Sequence, residues 1–92
     1  MWIRSQDKKK LLKVNNFYFT RNYKLNREGD IVWLDSFSLK VNEDVMVAAY
    51  TSEEKAMKVL DMIEERLFYL ERFGAHHTNG IVFPMPQEEE VN

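Results

Sequence analysis

The sequence predicts an α+β fold: a curved antiparallel β-sheet of about five to six strands packed on one long α-helix in the C-terminal half, with a short last edge strand. Three observations predict it. Thr51 to Gly74 reads as one uninterrupted amphipathic helix. The stretches before it alternate with a period of two, as half-buried strands do. After it, Pro84 and Pro86 bracket Met85 and confine a final strand to a sheet edge.

The helix has a start and a stop. Thr51 with Glu54 three residues on forms a capping box, and Glu53 and Glu54 sit at the positive end of the helix dipole. Gly74 supplies the left-handed residue that closes a helix, with Arg72 in the last turn. About 22 residues at ~1.5 Å each give a rod of roughly 33 Å. Steps of ~100° place Ala56, Val59, Leu60, Ile63, Leu67 and Leu70 on one stripe, widened by Met62, Tyr69 and Phe73. Lys58, Asp61, Glu64, Glu65, Glu71 and Arg72 lie opposite. Asp61 and Glu65 are a like-charge i,i+4 pair, mildly unfavourable. Met57 and Phe68 point to this polar side, and Arg66 lies inside the apolar arc. Either a loop or the tail covers Met57 and Phe68, or they are contacts for another chain.

In chain order, Trp2–Gln6 and Leu11–Val14 form a hairpin around the polar turn Asp7-Lys8-Lys9-Lys10. From Phe17 to Leu25, Phe17, Phe19, Tyr23 and Leu25 share one face, and Tyr18, Thr20, Asn22 and Lys24 the other. Arg21 interrupts the apolar face, with its stem packed and its head at the rim. Gly29 supplies a positive φ in the next turn. Ile31–Leu34 and Phe37–Val41 follow, separated by a bulge or turn at Asp35-Ser36. Val45–Tyr50 is apolar on both faces, the mark of an interior strand. Ile81–Phe83 is the last strand, and Glu88-Glu89-Glu90 opens a frayed acidic tail. The domain reading is a single α+β domain over residues 1–86 with an acidic tail at 87–92.

Ninety-two residues suit one domain with one core. An apolar fraction of 45% excludes wholesale disorder. Without cysteine there is neither a disulfide nor a thiolate. No apolar run approaches the ~20 residues needed to span a bilayer, and the opening residues lack a signal peptide's apolar core. A cytoplasmic protein with no membrane association is expected. Residues 1–40 carry nine Lys/Arg against four Asp/Glu, and residues 41–92 four against eleven. Either the two halves attract each other within one fold, or the molecule has two faces of opposite sign.

No chemistry of catalysis emerges. No serine sits in a strand–turn–helix elbow, and the three glycines are isolated, so there is no phosphate loop. His76 and His77 are adjacent and lack metal-ligand spacing, so neither a metal nor a cofactor is expected. Two kinds of site remain. Met57 and Phe68, ringed by Asp61, Glu64 and Glu65, have the make-up of a protein contact: apolar anchors with a polar rim. One helix covers only one face of a sheet, so the other face, left partly bare, predicts a homo-oligomer. Alternatively Arg4, Lys8, Lys9, Lys10, Lys13 and Arg21, among Trp2, Phe17, Tyr18, Phe19, Tyr23 and Trp33, bind an anionic ligand: a nucleotide or a short single-stranded nucleic acid. An isoelectric point near 5.7 argues against a dedicated nucleic-acid binder.

Trp2-Ile3-Arg4-Ser5-Gln6-Asp7, with Tyr50-Thr51-Ser52-Glu53-Glu54-Lys55-Ala56 and Val59-Leu60-Asp61-Met62-Ile63, resembles a group of small, mostly uncharacterised proteins from phages and mobile elements of Gram-positive bacteria. These open with a Trp-Ile-Arg-Ser-Gln strand, carry a helix beginning Thr-Glu-Glu-Arg-Ala, and end in a short strand closing on Met-Pro. Val82-Phe83-Pro84-Met85-Pro86 matches that ending. The middle, Asn15 to Lys40, departs in being unusually aromatic, and Lys55 replaces the arginine. The resemblance implies a phage accessory protein that inhibits a host system, and assigns no activity to any residue; the absence of catalytic chemistry and the exposed helix residues add the expectation of a non-enzymatic module whose partner is a host protein.

Overall fold

Alternating residues make the strands, and a serine starts the helix. The computed structural model describes residues 1–73 and 82–92, and residues 70–73 by their backbone alone. Gly74, His76, His77 and Ile81 therefore lie outside the described residues. The chain is α+β: β1 Trp2–Arg4, β2 Leu11–Lys13, β3 Phe17–Leu25, β4 Ile31–Val41, β5 Val45–Tyr50, α1 Glu53–Phe73 and β6 Val82–Pro84, then a 3-10 turn at Glu88–Glu90.

The strands divide into two three-stranded sheets rather than one. β3-β4-β5 is an antiparallel meander; in the other, β1 pairs antiparallel with β2 and parallel with β6. β6 is an edge strand, as its prolines require. The sheets meet where β5 carries an extra residue between Met46 and Ala48. There the Gln6 N–H donates to the Val47 carbonyl at 2.7 Å, and the Ala49 N–H donates to Gln6 Oε1 at 3.0 Å. This covers the outer edge of β5, which would otherwise offer unpaired backbone groups to another chain. The extra residue brings Val47 and Ala48 both into the core, while Met46 on the other face is 48% exposed; β5 is therefore an edge strand buried on one face, not the interior strand that its sequence predicts.

β4 runs through Asp35-Ser36, which is a bulge and not a turn. Arg21 Nε donates to the Leu34 carbonyl at 2.8 Å and Asn22 Nδ2 to Ser36 Oγ at 2.8 Å, holding the irregularity. One core lies between the layers. Ile3 and Phe83 from the small sheet and Phe37, Leu39, Val41 and Tyr50 from the meander close on Ala56, Val59 and Ile63 of α1. Each fully buried aliphatic side chain there contributes about 1.5–3 kcal/mol.

Three expectations need correction. The helix cap is Ser52, not Thr51: Ser52 Oγ accepts from the Lys55 N–H at 3.1 Å, and its carbonyl accepts the first helical bond, from Ala56. Thr51 is diverted because its hydroxyl and N–H donate to the Glu88 carboxylate. The acidic tail is not frayed. Val91 is only 4% exposed, Gln87 Nε2 donates to the Gln6 carbonyl at 2.7 Å, and Glu88 pairs with Lys55 at 3.2 Å. Nor is the outer face of the meander a bare apolar surface. It is mixed: Thr20, Asn22, Ser38 and Lys40 line it together with the exposed Tyr18 and Met46, and Ser38 Oγ donates to Asn22 Oδ1 at 3.0 Å.

The surplus apolar surface lies elsewhere. β3 and β4 extend past the helix, and by register Tyr23, Leu25, Ile31 and Trp33 share one face of this arm, all exposed. The second half of α1 likewise exposes Met62, Leu67, Phe68 and Tyr69. The molecule measures 54 × 25 × 20 Å, and its radius of gyration, 14.9 Å, exceeds the ~12 Å of a compact chain this long.

Candidate interaction surfaces

The helix surface comes from simple periodicity. Met57, Asp61, Glu64 or Glu65, and Phe68 succeed one another at spacings of three and four, so they form one stripe along α1. All five are exposed, Phe68 by 61%. A groove of about 540 Å³ is lined, among the described residues, by Asp61, Glu64, Glu65, Phe68 and Tyr69. Four of the five predicted partner-binding residues thus share one concavity. Met57 lies one turn before it, exposed but not in its lining. Tyr69 belongs to the surface, although its periodicity assigns it to the flank of the core.

Past Ile63 the described residues Leu67, Phe68 and Tyr69 are exposed, because the rod outruns what it covers. Its 21 residues span roughly 32 Å, whereas the six residues of β5 span about 20 Å. That mismatch is the signal that Leu67 and Tyr69 face outward.

The six basic residues are not gathered. Arg4 and Lys13 lie on the outer face of the small sheet, where register sets Trp2 opposite Lys13 and Arg4 opposite Leu11. Lys8, Lys9 and Lys10 belong to the β1–β2 turn, in which Lys8 has φ 67°. Asp7 organises that turn. Ser5 Oγ donates to it at 2.5 Å and the Lys9 N–H at 2.9 Å, which together hold its carboxyl below the ordinary carboxylate range. Lys10 Nζ donates to the Met46 carbonyl at 3.4 Å. Arg21 is apart, paired with Asp35 at 3.2 Å and stacked over Phe37.

A second cavity of about 350 Å³ lies between α1 and the last strand, lined by Lys8, Met62, Arg66 and residues from Phe83 to Glu90. The half-buried Arg66 guanidinium stacks on Phe83 at 5.5 Å, which explains how a cation sits inside the apolar arc. On the arm, Tyr23 and Trp33 meet edge to face at 5.7 Å.

The unequal charges of the two halves are not paired with each other. Of the ion pairs among the described residues, Arg21–Asp35, Lys55–Glu88 and Lys58–Glu54 each stay within one half of the sequence. Only Lys40–Asp44 crosses between halves, and it is a local i,i+4 contact. The excess charges of the two halves therefore remain on the surface. Among the described residues, no group of three or more His, Asp or Glu side chains is placed to hold a metal ion. No helix among them is long and apolar enough to cross a membrane.

These features define an α+β protein whose prominent surfaces are an acidic–aromatic helix stripe, a basic–aromatic sheet face and an apolar arm. No protein-family model, curated protein or solved structure matches the chain.

Proposed function

We propose that this protein is a non-enzymatic interaction module. It acts as a homo-oligomer and engages another protein through the outer stripe of α1 and the apolar arm of β3–β4. In the phage setting that the resemblance implies, that partner is a host protein, and the module inhibits a host system. The observation that carries this reading is the placement of large apolar side chains: Leu25, Trp33 and Phe68 are each more than half exposed while the core is closed without them. Exposed aromatic anchors ringed by charge are what protein contacts are made of.

The experiment pairs light scattering with capture of partners on the immobilised protein. Met57→Lys with Phe68→Glu should lower the mass in solution, the captured partner, or both. If it raises solubility while leaving mass and partner unchanged, α1 is not the contact surface.

A second reading is a binder, or sponge, of an anionic ligand, favoured by Trp2, Arg4 and Lys13 on one exposed sheet face. A base stacked on Trp2 with its phosphate near the two cations fits such a face. Titration with nucleotides and single-stranded oligomers at rising salt tests it, because this binding must weaken as salt rises.

A further inference from the structure

We infer that copies of this chain associate head to tail, the basic outer face of the β2-β1-β6 sheet of one docking on the acidic second half of α1 of the next. The inference rests on the homo-oligomer reading above and names its two surfaces.

The register of the small sheet puts Trp2 opposite both Lys13 and Val82, and Arg4 opposite both Leu11 and Pro84. One face therefore carries two cations and no carboxylate, with Trp2 and Leu11 exposed between them. The groove on α1 is its complement: among the described residues it is lined by three carboxylates and no cation, with Phe68 and Tyr69 exposed. Neither Arg4 nor Lys13, nor any of Asp61, Glu64 and Glu65, takes part in an ion pair among the described residues. Lys40, Lys55, Lys58 and Arg21 all find carboxylates in their own chain, so the chain does satisfy charges where it can.

One copy cannot join its own two patches. The inner face of the small sheet, with Ile3 and Phe83, packs into the core shared with Ala56, Val59 and Ile63 of α1. The basic face points away from that core, and the helix carboxylates point away from it too. Cations from a second copy would also relieve the like-charge pair Asp61–Glu65. Apolar anchors with complementary charge suit a contact that charge steers and salt weakens. Because the two patches differ, the contact is heterologous, and copies add in sequence unless a ring closes. The arm of β3–β4 stays free for a different partner.

Two variants test this: Arg4→Glu with Lys13→Glu, and Glu64→Lys with Glu65→Lys. All four positions are exposed, and circular dichroism checks the fold. Should either reversal unfold, the neutral pairs Arg4→Gln with Lys13→Gln and Glu64→Gln with Glu65→Gln replace them. By light scattering the parent should form species larger than a monomer that shrink as salt rises. Each variant alone should be monomeric, its association weakened at least about tenfold, or about 1.4 kcal/mol. Mixed in equal amounts, the two reversals should associate again, through the intact pair of patches and through the two reversed patches, which now attract each other; the two neutral pairs, mixed, should stop at a one-to-one dimer, since one intact patch remains on each. If the parent associates but either variant alone still does so, or the mixture does not associate, this docking is wrong while the homo-oligomer reading stands. A parent monomeric at every concentration and salt overturns both. Loss of oligonucleotide binding by the basic-face variant, with self-association intact, assigns that face to an anionic ligand and overturns the docking.

Discussion

Glu88 ties the last turn of the chain to the start of the helix. Its carboxylate accepts from the Thr51 hydroxyl and N–H and pairs with Lys55 at 3.2 Å. The Thr51 hydroxyl, then Lys55, holds its pKa below the ordinary carboxylate value. A depressed folded-state pKa gives stability that is present above the unfolded-state value and disappears as pH falls through the folded one. Glu88→Gln should therefore cost about 1 kcal/mol at neutral pH. The gap to the parent should close in acid, below the carboxylate range; urea midpoints at the two conditions measure it. Ser52→Ala should also cost about 1 kcal/mol, as loss of a helix cap does. Thr51-x-x-Glu54 and Ser52-x-x-Lys55 both begin with a hydroxyl, and local sequence favours the first. The deciding partner, Glu88, is 37 residues from Thr51. A cap of this kind is illegible in any local window.

The helix as an element is half core and half surface. Its first half buries Ala56, Val59 and Ile63, while Leu67, on the same stripe, is 39% exposed. Periodicity treats Ile63 and Leu67 alike, because it reads direction around the axis and not where the sheet beneath ends. Ile63→Ala should cost about 3 kcal/mol, in the range for deleting a buried aliphatic side chain. Leu67→Ala should cost less than about 1 kcal/mol. Thermal or urea unfolding of the pair separates the two, and equal losses would mean that the helix packs along its whole length. Val91 makes the same point about the tail. Val91→Ala should cost about 2 kcal/mol, since it removes two buried methyl groups. The strands were more legible. The alternation of β3 and the edge position of β6 follow from residue pattern, whereas the apolar run of β5 hides a bulge at Val47 that buries only one face. The division into two sheets does not. Turn residues say which neighbours pair, whereas the parallel pairing of β1 with β6 joins the two ends of the sequence.

At the scale of the whole molecule, the charge split and the exposed aromatics become one argument about shape. A chain that folds around a single core and still measures 54 Å along one axis has carried part of itself outside that core. Besides Leu67, Phe68 and Tyr69 of α1, the part outside is the arm of β3–β4. Its apolar alternation reads as core, yet Leu25 is 61% and Trp33 56% exposed. If the arm contributes to contact and not to folding, replacing its large residues should leave the fold almost untouched. Leu25→Thr with Trp33→Thr introduces β-branched residues that suit a strand, so the backbone pairing is preserved. The expected loss is about 1 kcal/mol, mostly from the Tyr23–Trp33 ring contact. Solubility should rise and binding of a hydrophobic dye should fall, with the unfolding slope in urea unchanged. A loss of about 3 kcal/mol or more would instead place these residues in a packed interior. Small-angle scattering on the least associated sample supplies the independent check. An elongated particle keeps the arm outside the core, whereas a radius of gyration near the ~12 Å of a compact chain would mean that it folds back.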